Sequence, residues 1–238
     1  TDLGGAVRVA DMTWMQVETF LESDDRCVLP LGSVEQHAYL SLAVDAILAE
    51  KIAVDAAEPL GVPVFPAVAY GLTPYFMAYP GTVTLTPDTY GRMLRDVLNS
   101  LVAHGFKRIV LVNGHGGNRD GRPAVDAWAA EHPQVQLRWY DWWAAPETMA
   151  SVRAIDPDAS HASWMEGFPW TQVGGVDVPE GHKPAVDLSD REDMSPAALR
   201  ERLGDGSFGG YYTRPDADYE HVWSVAVRET RCVLQEGW

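Results

Sequence analysis

Apolar positions along this chain come in short blocks that alternate between two periods. "TWMQVETFLES" spaces Trp14, Val17, Phe20 and Leu21 like the face of a short amphipathic helix. "RCVLPLG" is a compact run with the length of a buried strand. "DAILAEKIAVDAAEPLG" reads as a helix with Asp45 at its start and Gly61 beyond its end. "VPVFPAVAYG" predicts a second strand. "TPDTYGRMLRDVLNSLVAHG" predicts a long helix with Met93, Leu94, Val97, Leu98 and Leu101 on one side, leading into a third strand, "FKRIVLVNG". "RDGRPAVDAWAAEHP" returns as a helix and "VQLRWYDWW" as a fourth strand. Strands alternating with helices need right-handed crossovers, so the expected class is α/β, a three-layer fold with a mostly parallel central sheet flanked by helices. The unbroken apolar "IVLV" suits a strand covered on both faces. From about Ala144 the rhythm fails. "DPDASHASWMEGFPWTQVGGVDVPEGHKPAVD" predicts irregular loops over the sheet edge, and "YEHVWSVAVRETRCVLQEG" a closing helix. With no internal repeat or low-complexity linker, residues 1–238 are expected to form one domain.

Composition narrows the partners. Lys plus Arg total 18 against 34 Asp plus Glu, a formal charge of −16. Such a surface repels phosphate backbones and anionic membranes, so neither nucleic acid nor membrane is expected as a partner. Cys27 and Cys232 are far apart and too few for a disulfide scaffold or a structural zinc cluster. The first residues, "TDLGGAVRVADMTW", lack the basic start and apolar run of a signal peptide, and no run is long enough to span a bilayer. A cytoplasmic protein is expected.

Loops at the carboxyl ends of parallel strands are where α/β proteins place their chemistry, and three reactive groups fall there. Glu35 and His37 follow the first strand, with Asp45 beyond. "NGHGGN", Asn113 to Asn118, follows "IVLV". "HASWMEG", His161 to Gly167, lies in the irregular segment. Glu35 and His37 are two residues apart, so extended backbone aims both at one face. Oxygen and imidazole donors without thiolates suit a catalytic zinc, manganese or iron ion, and a bridging carboxylate would admit a second. Simpler roles compete. Asp45 could only cap its helix, His115 could be an ordinary loop residue, and "NGHGGN" could cradle a phosphate, although it matches neither GxGxxG nor the Walker pattern. The conjunction at successive strand ends favours the metal.

These residues resemble the creatininase (creatinine amidohydrolase) family. The resemblance rests on "LPLGSVEQH" with the later Asp45, "YPGTVTL", "GFKRIVLVNGHGGN" and the spaced pair His161 and Glu166. It implies a creatininase-like α/β fold, one or two divalent transition metals per chain and a homo-oligomer, usually a hexamer. Carried over, Glu35, His37, Asp45, His115 and Glu166 would be the ligands, with Asp45 bridging, and His161 the histidine that moves protons to the leaving group. The chain departs from the family's pattern in three places. It reads "EQHAYLSLAVD" where relatives read EQHGPHLPLGTD, with Tyr39 in place of a histidine. Phe76 stands near another expected histidine, and Gly117 where creatininase has a glutamate.

The expected function is therefore a metal-dependent hydrolase whose activated water attacks a carbonyl of a small, cyclic substrate other than creatinine, by ring opening or amide cleavage. Glu166 and His161 would be catalytic. Backbone donors at Gly116 and Gly117 would hold the oxyanion, and Tyr39, Tyr75, Trp142 and Trp143 would wall the substrate. One alternative is carbon–carbon hydrolysis of a cyclic diketone such as an oxidised cyclitol. Another is a non-catalytic small-molecule-binding domain, or an inactive scaffold subunit.

Overall fold

Three strands, β1 (Arg26–Leu31), β2 (Arg108–Asn113) and β3 (Gln136–Asp141), pair in parallel in the order β1-β2-β3. The computed structural model describes residues 7–236 and 238. Leu31 pairs with Asn113 and Asn113 with Asp141, so the carboxyl ends lie level. Side-chain alternation divides the core. Val28, Val110 and Val112 face one layer, while Cys27, Leu29, Leu31, Ile109 and Leu111 face the other. The first layer contains α2 (Val44–Ala57), α5 (Pro146–Ile155) and the C-terminal α7 (Asp216–Gln235). The second contains α1 (Trp14–Leu21), α3 (Pro87–His104) and α4 (Arg122–Glu131). This is the expected three-layer α/β arrangement.

The long helix is the clearest match between pattern and structure. Tyr90, Leu94, Leu98 and Leu101 are buried on one stripe of α3, Thr86 caps its start through Thr89 N–H, and Gly105 ends it at φ 110°.

Three expectations change. "VPVFPAVAYG" does run parallel to β1, with Val28 N–H donating to Pro63 O and Gly32 N–H to Val68 O. Pro30 and Pro66 have no N–H to give, so rungs are missing and only isolated bridges at Val64 and Val68 remain. In α1, Phe20 is buried and Val17 and Leu21 pack beside it, but Trp14 in the first turn is 70% exposed. After Ala144 the chain is more regular than its composition suggests. It forms α5, an antiparallel pair of short strands, β4 (His182–Lys183) and β5 (Gly210–Tyr211), and between them α6 (Pro196–Leu203), whose Leu199 and Leu203 pack on Phe76. Among the described residues no helix is long and apolar enough to cross a membrane.

Candidate metal centre

Glycine decides where α2 begins. A Cβ at Gly32 would overlap the Ala46 backbone, and one at Gly114 would overlap Asp45 O. Bare strand ends therefore let the first turn of α2 sit directly on them, which brings Asp45 over the sheet. Asp45 does not cap the helix; the N-cap position is Ala43, without a side-chain cap. Its carboxylate turns inward instead. Oδ1 lies 3.1 Å from His37 Nε2 and Oδ2 lies 2.9 Å from His115 Nδ1, with Ser33 Oγ donating to Oδ2 at 2.8 Å.

Two triads share this residue. Glu35, Asp45 and His115 form one; His37, Asp45 and Glu166 form the other, the donor atoms of each lying within 4.8 Å of one another. His115 Nδ1 is 3.3 Å from Glu35 Oε1, and His37 Nε2 is 3.7 Å from Glu166 Oε2. Glu35 and His37 also fall within one group of donors with His161, so the convergence that alternation suggested is present, while each joins a different group through Asp45. Both imidazoles are held from behind by main-chain oxygens, His37 Nδ1 at Glu35 O (3.2 Å) and His115 Nε2 at Leu72 O (2.9 Å). Donating there leaves the inward nitrogen of each ring with a free lone pair.

The charge balance calls for a cation. Three carboxylates converge on two imidazoles, and among the described residues no Lys or Arg ion-pairs with them. Among the described residues Glu35 Oε2 is buried with no hydrogen-bond partner. Without an ion, protons take the cation's place. Burial alone would lower the His37 pKa, but Asp45, Glu166 and Glu35 push it up to about 10. His115 is raised against its burial by Glu35 and its other anionic neighbours. Burial pushes Glu166 up to about 7. Burial works against the charged Asp45 too, but the two imidazoles hold it well below the usual carboxylate range. Histidine and carboxylate donors of this kind fit zinc or manganese.

His161 sits beside both triads. Its ring lies 4.4 Å from that of His37, Phe76 stacks on it at 5.0 Å, and its Nδ1 is 3.7 Å from Glu35 Oε1. Burial and the neighbouring His37 hold its pKa well below the ordinary value. Ala38 (φ 50°) and Ala162 (φ 59°), the non-glycine positive-φ residues among those described, directly follow His37 and His161. Left-handed alanine costs energy, so the fold spends strain at these two turns.

The other expected residues divide. Tyr75 Oη comes 3.4 Å from His115 Nε2. Gly117 has no room for a side chain, since a Cβ would overlap Leu72 O and stand 2.6 Å from His115 Nε2 and 2.7 Å from Tyr75 Oη. Gly116 is exposed, with Trp143 against it and the Arg119 guanidinium 4.9 Å over the Trp143 ring. Trp142 is core, 3% exposed and edge-on to Trp223, so it does not wall the site. Tyr39 packs on Tyr212 at 5.6 Å rather than on the triads. In "NGHGGN" the asparagines are structural. Asn113 Nδ2 donates to His115 O and Asp141 Oδ1, and Asn118 bonds Gly32 O and Leu72 N–H, so both side chains brace the turn. Ser33 and Gln36, in contact with Asp45 and His161, carry no sequence signal beyond their place inside "GSVEQH".

Residues 10–167 match the Creatininase family, creatinine amidohydrolase. The chain belongs to the creatininase family. Among curated relatives, creatinine amidohydrolase of Pseudomonas putida is 33% identical over 121 residues, 48% of this chain and 46% of that protein. The mycofactocin precursor peptide peptidase of Mycolicibacterium smegmatis is 35% identical over 141 residues, 56% and 53% of the two. The 3-dehydro-scyllo-inosose hydrolase of Thermotoga maritima is 31% identical over 107 residues, 44% and 34%. The chain therefore matches about half the length of these relatives or less. Solved structures share the fold over nearly the whole chain. Creatinine amidohydrolase (creatininase) aligns at TM-score 0.80 and 23% identity over 96% of both chains, and creatininase Mn at 0.78 and 21% over 97% and 98%.

Proposed function

We propose that this creatininase-family chain is a metal-dependent hydrolase of a small substrate's carbonyl–nitrogen bond. The observation that carries this is Asp45, with one oxygen toward each imidazole at the centre of two triads. Glu35, Asp45 and His115 would hold one ion; His37, Asp45 and Glu166 a second. Structural neighbours include a Zn-Zn type mutant creatininase and creatininase Mn, so zinc or manganese is the cofactor to test first. A divalent ion there supplies Lewis acidity, lowering the pKa of water and polarising a carbonyl.

The chain's own residues do the rest. Phe76 and Phe208 pack on His161 and exclude water from its ring faces. His161, outside both triads, holds or moves a proton at Nδ1 beside Glu35. Tyr75 carries a buried hydroxyl, its pKa raised mainly by burial, which donates without ionising. Two relatives are named for amide or peptide hydrolysis, which favours a C–N bond. The Thermotoga maritima relative, a hydrolase of 3-dehydro-scyllo-inosose, supports the second reading, hydrolysis of a cyclic polyol ketone. Creatinine itself is not the expected substrate, because Gly117 leaves no space for a side chain beside His115 and Phe76 is committed to His161.

The test is elemental analysis of zinc- and manganese-loaded protein, followed by a screen of cyclic amides, formamides, short peptides and cyclic polyol ketones with product mass spectrometry. Close to two ions per chain, one for Asp45→Asn or fewer, and a hydrolysed product are expected. No bound ion after loading would sink the reading. His161→Ala should keep its metal and lose most turnover, at least the ~100-fold typical of a proton-transfer group.

A further inference from the structure

Gln36 stands between Glu35 and His37 in the chain, yet its side chain serves a different residue. It is 4% exposed. Its Oε1 accepts from Ala38 N–H at 3.1 Å, and its Nε2 donates to Gly206 O at 3.0 Å. Main-chain N–H and C=O cannot exchange roles, so these two partners fix which end of the amide is which. The turn that closes on it requires glycine, for Gly206 has φ 103° and a Cβ there would overlap the Gln36 amide.

One amide hydrogen is thus spent on Gly206, and for the other the acceptor among the described residues is His161 Nε2, at 2.9 Å. The Gln36 main-chain oxygen lies 3.1 Å from that same nitrogen. A neutral imidazole nitrogen either accepts or donates, so only one of these contacts is a hydrogen bond. The amide contact is shorter, and its hydrogen would otherwise be buried without an acceptor, at a cost of about 1–3 kcal/mol for such groups. Nε2 is therefore the acceptor.

We infer that Gln36 is a positioning residue that holds neutral His161 in its Nδ1–H tautomer, with the proton facing the Glu35 side of the metal cleft. The ring cannot turn away. Phe76 stacks on it within 23° of parallel, Phe208 lies 4.7 Å off and His37 4.4 Å off. In its resting form His161 then presents a hydrogen-bond donor, not a base, to a carbonyl oxygen or departing atom bound in the cleft. This consequence rests on the hydrolase reading, but the tautomer belongs to the resting protein and is read without substrate.

The test is long-range proton–nitrogen correlation NMR of the histidine rings in zinc-loaded, nitrogen-15-labelled full chain, with His161 assigned by its absence in His161→Ala. The expected pattern is a protonated Nδ1 and a bare Nε2. In Gln36→Met, similar in size but with no amide donor, the proton should move to Nε2 and donate to the Gln36 main-chain oxygen. His132, bonded to Trp128 O elsewhere, should keep its pattern. An Nε2–H tautomer in the unsubstituted protein overturns the inference, as does an unchanged tautomer in a zinc-replete Gln36→Met. The first measurement decides even if that variant does not fold.

Discussion

Asp45 shows what a single carboxylate can be asked to do. Each of its oxygens is 2.9–3.1 Å from a different imidazole, and Ser33 fixes their plane from behind. Groups that orient a ligand typically change metal affinity by about 10–100-fold when removed. Ser33→Ala is accordingly expected to weaken metal binding by ~10–100-fold in competition with a chelator, and an unchanged affinity would count against Asp45 as the shared ligand. Titration provides a second residue-level check. In ion-free protein, His37 is raised from 6.5 to about 10 and Glu166 from 4.5 to about 7. Folded values above unfolded ones mean stability that is full at low pH and lost as pH rises. The loss begins above about 4.5 for Glu166 and runs from about 6.5 to about 10 for His37. The melting temperature of chelated protein should therefore fall between pH 7 and 10. Metal loading, which displaces these protons, should flatten that slope. A slope that survives loading would show that the ion does not sit on these groups.

At the scale of elements, the site depends on how closely α2 can approach the ends of β1 and β2. Gly32 and Gly114 allow contact that any Cβ would block. Gly32→Ala should cost about 1–3 kcal/mol in chemical denaturation, the usual range for overpacking, and should lower metal stoichiometry because Asp45 moves with its helix. A full metal complement in the folded variant would contradict that coupling. The helices and apolar strands were legible because burial writes period 3.6 or 2 into the chain, as with Leu94, Leu98 and Leu101 in α3. The run from Val62 to Gly71 lies beside β1 as expected but is not a full strand, because composition records apolarity, whereas a ladder also needs the N–H groups that Pro30 and Pro66 lack. Trp142 misled differently. It stands one residue past β3, where a wall was expected, but its side chain turns into the α7 layer against Trp223.

At the scale of the whole molecule, apolar surface gathers near the site. Leu42, Val83 and Val173 are 40%, 43% and 47% exposed. They are neighbours through the main-chain bonds of Glu35 to Leu42 O and Val83 to Val34 O, and through the bridge between Leu40 and Gln172. A chain of formal charge −16 repels its copies at long range, so self-association would require short-range apolar contact. The homo-oligomer expected from the family resemblance would bury this patch. Sedimentation should find an oligomer that Leu42→Glu weakens at least tenfold; a monomer at micromolar concentration would refute it.

The α/β class, the strand ends that matter and the residue types gathered there are readable from the chain alone. Those follow from local periodicity and from donor chemistry, both of which are written residue by residue. Tertiary packing was needed to show that Asp45 faces both imidazoles rather than capping its helix, that His161 joins Glu35 and His37, and that Tyr75 but not Trp142 reaches the cleft. It also decided the role of Gln36, whose partners Gly206 and His161 lie 170 and 125 residues away. Such contacts depend on how close two backbones come and which way a ring turns, and no local pattern in the chain records either.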